Sequence, residues 1–81
     1  MNWNLDQLQL FVRSAESRSF SAAARQTGRA QSAVSTAIAL LESDLGVTLF
    51  ERNSGRQPQL TEAGAALLEQ ARSVLQQCER L

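Results

Sequence analysis

Apolar residues recur at helical spacing in four stretches of the chain, and the breaks between them fall at small or turn-forming residues. In the first stretch Leu5, Leu8, Phe11, Val12 and Ala15 return to one face every turn, which predicts a helix over about 5–17. Asn4 is placed to cap it, and Gln7, three residues on, can return a bond to complete a capping box. Arg18, Ser19 and Phe20 interrupt the pattern. Ser21 is then positioned to cap a second helix of about two turns through residues 22–26, with Gly28 as its stop.

A third helix is expected over about 31–44, where Val34, Ile38, Leu41 and Leu45 follow one another at spacings of four, three and four. At about 100° per residue these four share a narrow arc, and Ser32, Thr36, Ala39 and Ser43 lie nearly opposite. The outward stripe is therefore small and mostly polar, and Gly46 ends the helix. Residues 47–50 are short and β-prone, and 57–61 can pair with them antiparallel across Asn53, Ser54 and Gly55, as a wing-like hairpin. Thr61 caps the last stretch, Glu62 suits its first turn, and no breaker follows Gly64 before Leu81. Leu67, Val74 and Leu81 fall seven apart, with Ala71 and Cys78 four after the first two, an a/d seam for a partner helix.

Composition narrows what such a chain can do. With 81 residues and 43% apolar content there is one small core and no second domain. The chain has no His, no Tyr and a single Cys, so a His general base, a Cys-rich zinc site and a disulfide framework lack their residues. No enzyme activity and no cofactor are expected of it. No apolar run reaches the roughly 18 residues of a membrane span, and a lone thiol suits the cytoplasm.

Eight Arg, no Lys and eight acidic residues give a net charge of zero, which is not the usual balance of a nucleic-acid binder. Its distribution changes that picture. Residues 13–35 carry +3 and residues 52–60 carry +2, whereas 36–51 carry −3 and the two ends −1 each. Positive charge thus collects at the second helix with its turn, and in the wing.

A short helix, a turn containing Gly and a longer helix with a small outer face is the organisation of a helix-turn-helix. Small side chains let a recognition helix enter a major groove about 12 Å wide without holding its backbone off the base edges. Gln31 can bond adenine through both amide atoms, and Ser32, Ser35 and Thr36 can bond bases or phosphates. Such residues are also ordinary on any solvated helix, so spacing alone leaves both readings open.

More specific are SFSAAAR at 19–25, QSAVS at 31–35, Ile38, LLE at 40–42, LG at 45–46, LFER at 49–52 and LTEAG at 60–64. In this order and separation they resemble the N-terminal DNA-binding domain of LysR-type transcriptional regulators, across essentially the whole chain. The resemblance implies a mainly α winged helix-turn-helix, three helices plus a short β-hairpin wing, over about 1–61. Within it the helix-turn-helix spans about 21–45 and the wing about 47–61. A linker helix over 62–81 would follow, pairing through Leu67, Ala71, Val74, Cys78 and Leu81 in a homodimer. It also implies a C-terminal effector-binding domain, absent from these residues, which would take a small molecule and support higher oligomers.

Carried over by position, Gln31, Ser32, Ser35 and Thr36 fall where the family reads double-stranded promoter DNA, and Arg52 and Arg56 fall in the wing. Arg52 can equally make a structural ion pair. Arg56, beside Gly55, is the better candidate for the minor groove, where negative potential holds a guanidinium. Ser21 can bond a phosphate, cap its helix, or do both, and Arg29 in the turn is either a phosphate contact or a solvated charge. The chain departs from the family pattern at Ala30, where a Ser commonly caps the recognition helix; at Thr36, Ala37 and Ala39, where Arg, Lys or Gln is common; and in a wing about one residue longer. The competing function class is a protein-interaction module working through the last helix. Trp3, Phe11, Phe20 and Phe50 read as core residues rather than base-stacking platforms, and Cys78 as a small seam residue rather than a redox sensor.

Overall fold

The computed structural model describes residues 3–52 and 57–81 and contains four helices and one two-stranded hairpin among them: α1 (Leu5–Ser17), α2 (Phe20–Thr27), α3 (Gln31–Leu45), β1 (Phe50–Glu51), β2 (Gln59–Leu60) and α4 (Glu62–Glu79). The expected winged helix-turn-helix with a long last helix is the observed architecture. At the start of α1 the capping box is present: Asn4 accepts from the Gln7 backbone N–H at 2.8 Å, and the Gln7 side chain accepts from the Asn4 N–H at 2.8 Å. Thr61 caps α4 by accepting from the Gly64 N–H at 3.0 Å.

Three boundaries differ from the sequence expectation, each for a local reason. Ser19, not Ser21, caps α2, accepting from the Ala22 N–H at 3.0 Å. Phe20 is already helical, its ring edge-on to Phe50 at 5.3 Å, so the cap moves two residues upstream. The hairpin is shorter and later than expected, pairing Phe50 with Leu60 and Glu51 with Gln59 antiparallel. Residues 47–49 are occupied otherwise: the Val47 N–H bonds the Glu42 carbonyl, the Thr48 carbonyl accepts from the Thr61 hydroxyl, and the Leu49 N–H bonds the Glu42 carboxylate. Finally, α4 stops at Glu79 rather than Leu81, its last bonds tightening to i→i−3 from Arg80 to Gln77 and from Leu81 to Cys78.

The core is built where the helices cross. Phe11 of α1, Val34, Ile38 and Leu41 of α3, and Leu49 before β1 are fully buried, and Phe50 joins them against Phe11 at a centroid distance of 5.5 Å. Buried Ala23 and Ala24 present little side chain on the inner face of α2. From α4 the core takes Ala71, with Leu67, Leu68 and Leu75 packed partly buried around it. Leu45 departs from its expected arc: it is 38% exposed, at the mouth of a narrow apolar groove between α3 and α4 that Trp3, Leu41, Leu67 and Val74 also line.

Candidate nucleic-acid interface

The turn between α2 and α3 is set by backbone geometry. Gly28 takes the left-handed conformation (φ 68°), and the Arg29 N–H reaches back to the Ala24 carbonyl at 2.9 Å, closing α2 in a Schellman-type cap. Ala30 precedes α3 with extended backbone and no side-chain cap, as its residue type dictates. Val34, Ile38 and Leu41 face inward from α3, so Gln31, Ser32 and Thr36 are exposed and Ser35 is half-buried. The exposed apolar side chains of α3 are Ala33, Ala39, Leu40 and, at its C-terminal end, Leu45, and Ala33 and Ala39 are no larger than a methyl group.

Three of the expected contact residues, far apart in sequence, line one shallow cleft. Ser21 at the start of α2, Gln31 at the start of α3 and Arg52 after β1 border it, together with Ser19, Phe20, Gln57 and Pro58. Ser21 accepts from Arg25 Nη1 at 3.0 Å, one turn on, so its hydroxyl is already engaged within α2. Arg52 is held twice. Its Nη2 pairs with the Glu42 carboxylate at 3.2 Å, and its guanidinium lies over the Phe20 ring, 5.2 Å from the centroid. The structural ion pair left open by the sequence is thus present, while 44% of the Arg52 side chain remains exposed on the cleft side of the wing base.

Glu42 is the residue that sequence reasoning missed. Its Oε2 accepts from the backbone N–H groups of Leu49 and Phe50 at 2.8 and 3.2 Å, while its Oε1 takes Arg52. One carboxylate thereby ties α3 to the strand that carries the wing. The signal was an acid on the inward shoulder of α3, ten residues before an arginine; only the chain reversal at Gly46 brings them together. Gln57 and Pro58 were likewise read only as strand residues, and the fold places them at the cleft.

Arg29 is neither free nor simply solvated. It makes two bonds to the Asp6 carboxylate in the first turn of α1, Nη2 to Oδ1 at 2.5 Å and Nη1 to Oδ2 at 2.7 Å. That bonding raises the Arg29 pKa above its ordinary value, with a smaller opposing effect of desolvation. Arg56, the other wing candidate, lies outside the described residues.

The expected seam on α4 does not form one outward stripe. Ala71 is 1% exposed and belongs to the chain's own core, so its assignment to a partner-facing seam is corrected; Leu67 is half-buried on the same core. The seven-residue spacing placed them together, but α4 turns its buried Gly64 and Ala71 towards its own chain, Gly64 against Leu49 and Leu60 and Ala71 into the core. Val74 and Leu81 remain exposed, and Cys78 lies half-buried beside a groove that Leu5, Val12 and Leu75 also line.

Residues 5–65 match the family model described as bacterial regulatory helix-turn-helix protein, lysR family. The chain belongs to the LysR family. Among curated relatives, it is 49% identical over 75 residues to the HTH-type transcriptional regulator AceR of Acinetobacter baumannii, covering 93% of this chain and 25% of that protein. To the HTH-type transcriptional regulator CrgA of Neisseria meningitidis it is 46% identical over 77 residues, covering 95% of this chain and 25% of that one. The chain therefore spans about a quarter of the length of the LysR-family relatives it matches. In structure it is similar to the CbnR DNA-binding domain in complex with DNA, at a TM-score of 0.90 and 40% identity, over 95% of this chain and 87% of that one. It is equally similar to the BenM DNA-binding domain in complex with catB site 1 DNA, at a TM-score of 0.90 and 32% identity, over 95% and 84% of the two chains. The family is one of transcriptional regulators rather than enzymes. Among the described residues no group of acidic, Cys or His side chains could hold a metal ion, and no helix is long and apolar enough to cross a membrane.

Proposed function

We propose that this chain is the DNA-binding part of a LysR-type transcriptional regulator, acting in the cytoplasm on double-stranded promoter DNA. The observation that carries the reading is the shared cleft. The N-terminal ends of α2 and α3 and the base of the wing open on one side of the molecule, beside an α3 face of Gln31, Ser32 and Thr36. Docked with that face in the major groove, Gln31 and Thr36 reach base edges. Ser32 and Ser35 contact bases or the adjoining backbone, and Ser21 and Arg52 meet phosphates on either side. Arg56, outside the described residues, is assigned to the minor groove on the LysR resemblance alone.

The functional unit is a homodimer through α4, because one module of this size makes a modest interface. Pairing lets a two-fold protein engage half-sites about one turn, roughly 34 Å, apart or a multiple of it. Exposed Val74 and half-buried Leu67 and Cys78 of α4, with Leu81 just beyond its end, supply the apolar surface for this contact. A small-molecule effector and any higher oligomer are assigned to a further domain of the LysR type, beyond these residues.

The test is affinity for duplexes from the neighbouring promoter region, measured against salt. A log–log slope that steepens by about 0.9 for each phosphate engaged is expected. Thr36→Ala should alter preference among sites with little change in slope, whereas Arg52→Ala should weaken all duplexes and flatten it. Binding indifferent to salt and to sequence would leave only the protein-interaction reading.

A further inference from the structure

Of the described arginines expected to meet DNA, Arg29 and Arg52, Arg29 has the more complete internal counter-charge. Both of its terminal nitrogens bond the two oxygens of Asp6, a fork-to-fork pairing across 23 residues of sequence. Such a contact either positions the turn or neutralises it, and the surrounding bonds distinguish these. The turn is already fixed by the left-handed Gly28 and by the Arg29 N–H to the Ala24 carbonyl, and α3 is seated by fully buried Val34, Ile38 and Leu41. The backbone of the turn therefore does not depend on the ion pair, which joins it to α1. The side chains of the pair are 37% and 53% exposed, so it is open to solvent and to competition by another anion.

We infer that Asp6 is an intramolecular mask on Arg29: by filling the bidentate face of the guanidinium it removes one cation from the helix-turn-helix surface and lowers the affinity of the chain for phosphate backbone without altering which bases α3 reads. This rests on the DNA-binding reading above. A masked turn suits a domain with zero net charge, in which base contacts rather than general attraction would decide occupancy. Arg52, paired through only one nitrogen to Glu42, is less completely masked.

The experiment compares the unaltered chain, Asp6→Asn, and Asp6→Asn combined with Arg29→Gln, by titrating a promoter duplex and a scrambled duplex at several salt concentrations. Helix content from circular dichroism confirms that each variant is folded. Asp6→Asn is expected to bind both duplexes several-fold more tightly near 0.1 M salt, with the slope steeper by about 0.9, the release from one additional phosphate. Adding Arg29→Gln should return the slope to that of the unaltered chain. The inference is overturned if Asp6→Asn leaves affinity and slope unchanged, if it weakens binding as loss of a positioning contact would, or if the double variant keeps the gain, which would assign it to removal of acidic repulsion alone. Salt-dependent binding by the unaltered chain together with any of these results sinks only the mask; no duplex binding by any of the three sinks the DNA reading with it.

Discussion

Glu42 shows how a single side chain can join two elements: two backbone N–H groups and one guanidinium converge on its carboxylate, which is only 16% exposed. Gly64 makes the same junction from the other side. It sits in the first turn of α4, where a Cβ would run into the Leu49 carbonyl and come within 2.8 Å of Leu60 Cδ2. That carbonyl is itself held by the Thr61 N–H at 3.0 Å and has no room to retreat. Helix propensity alone would make Gly64→Ala stabilising by about 1 kcal/mol. Overpacking should reverse the sign, for a net loss of about 1–3 kcal/mol in denaturant unfolding; an increase in the unfolding midpoint would show that the hairpin can shift to accommodate the methyl group.

At the scale of elements, three of the four helices begin with a side-chain cap, from Asn4, Ser19 and Thr61, and α3 does not. Ala30 has the extended backbone of an N-cap without an oxygen to accept from the first turn. Ala30→Ser should therefore stabilise the chain by about 1 kcal/mol, read as a higher midpoint in urea at unchanged slope. No gain would mean that water already satisfies those N–H groups. The capping residues were largely legible in sequence because capping is local; Asn4 and Thr61 hold the roles their neighbours predict. Ser21 was misassigned because two serines flank Phe20, and only the packing of that ring on Phe50 decides which of them lies outside the helix.

For the whole molecule, exposed apolar positions occur at several places, and two of them, Leu45 and Val74, meet half-buried Trp3 at one groove between α3 and α4, with Val74 40% exposed. If α4 pairs with a second copy, this shoulder is what it offers. Val74→Asp should then lower the dimer population in sedimentation and leave the monomer folded, since its side chain is not part of the buried core. A monomer–dimer balance that does not move would refute pairing through this shoulder. Ala71→Asp would not discriminate, because it would bury a charge within the chain itself.

Sequence by itself determined the order and kind of the elements, most of the core and the small polar face of α3. These follow from helical periodicity, capping residues and glycine stops, all of which act over a few positions. The tertiary structure decided which charges are free. Asp6 with Arg29, Glu42 with Arg52, and Glu16 with Arg72 are pairs separated by 23, 10 and 56 residues, and no local pattern signals any of them. It also decided which side of α4 is spent on its own chain, because a seven-residue spacing is satisfied equally by a partner helix and by α1. The net charge of zero was visible from the composition; that two arginines of the candidate interface carry their counter-charges with them became visible only when the chain folded back on itself.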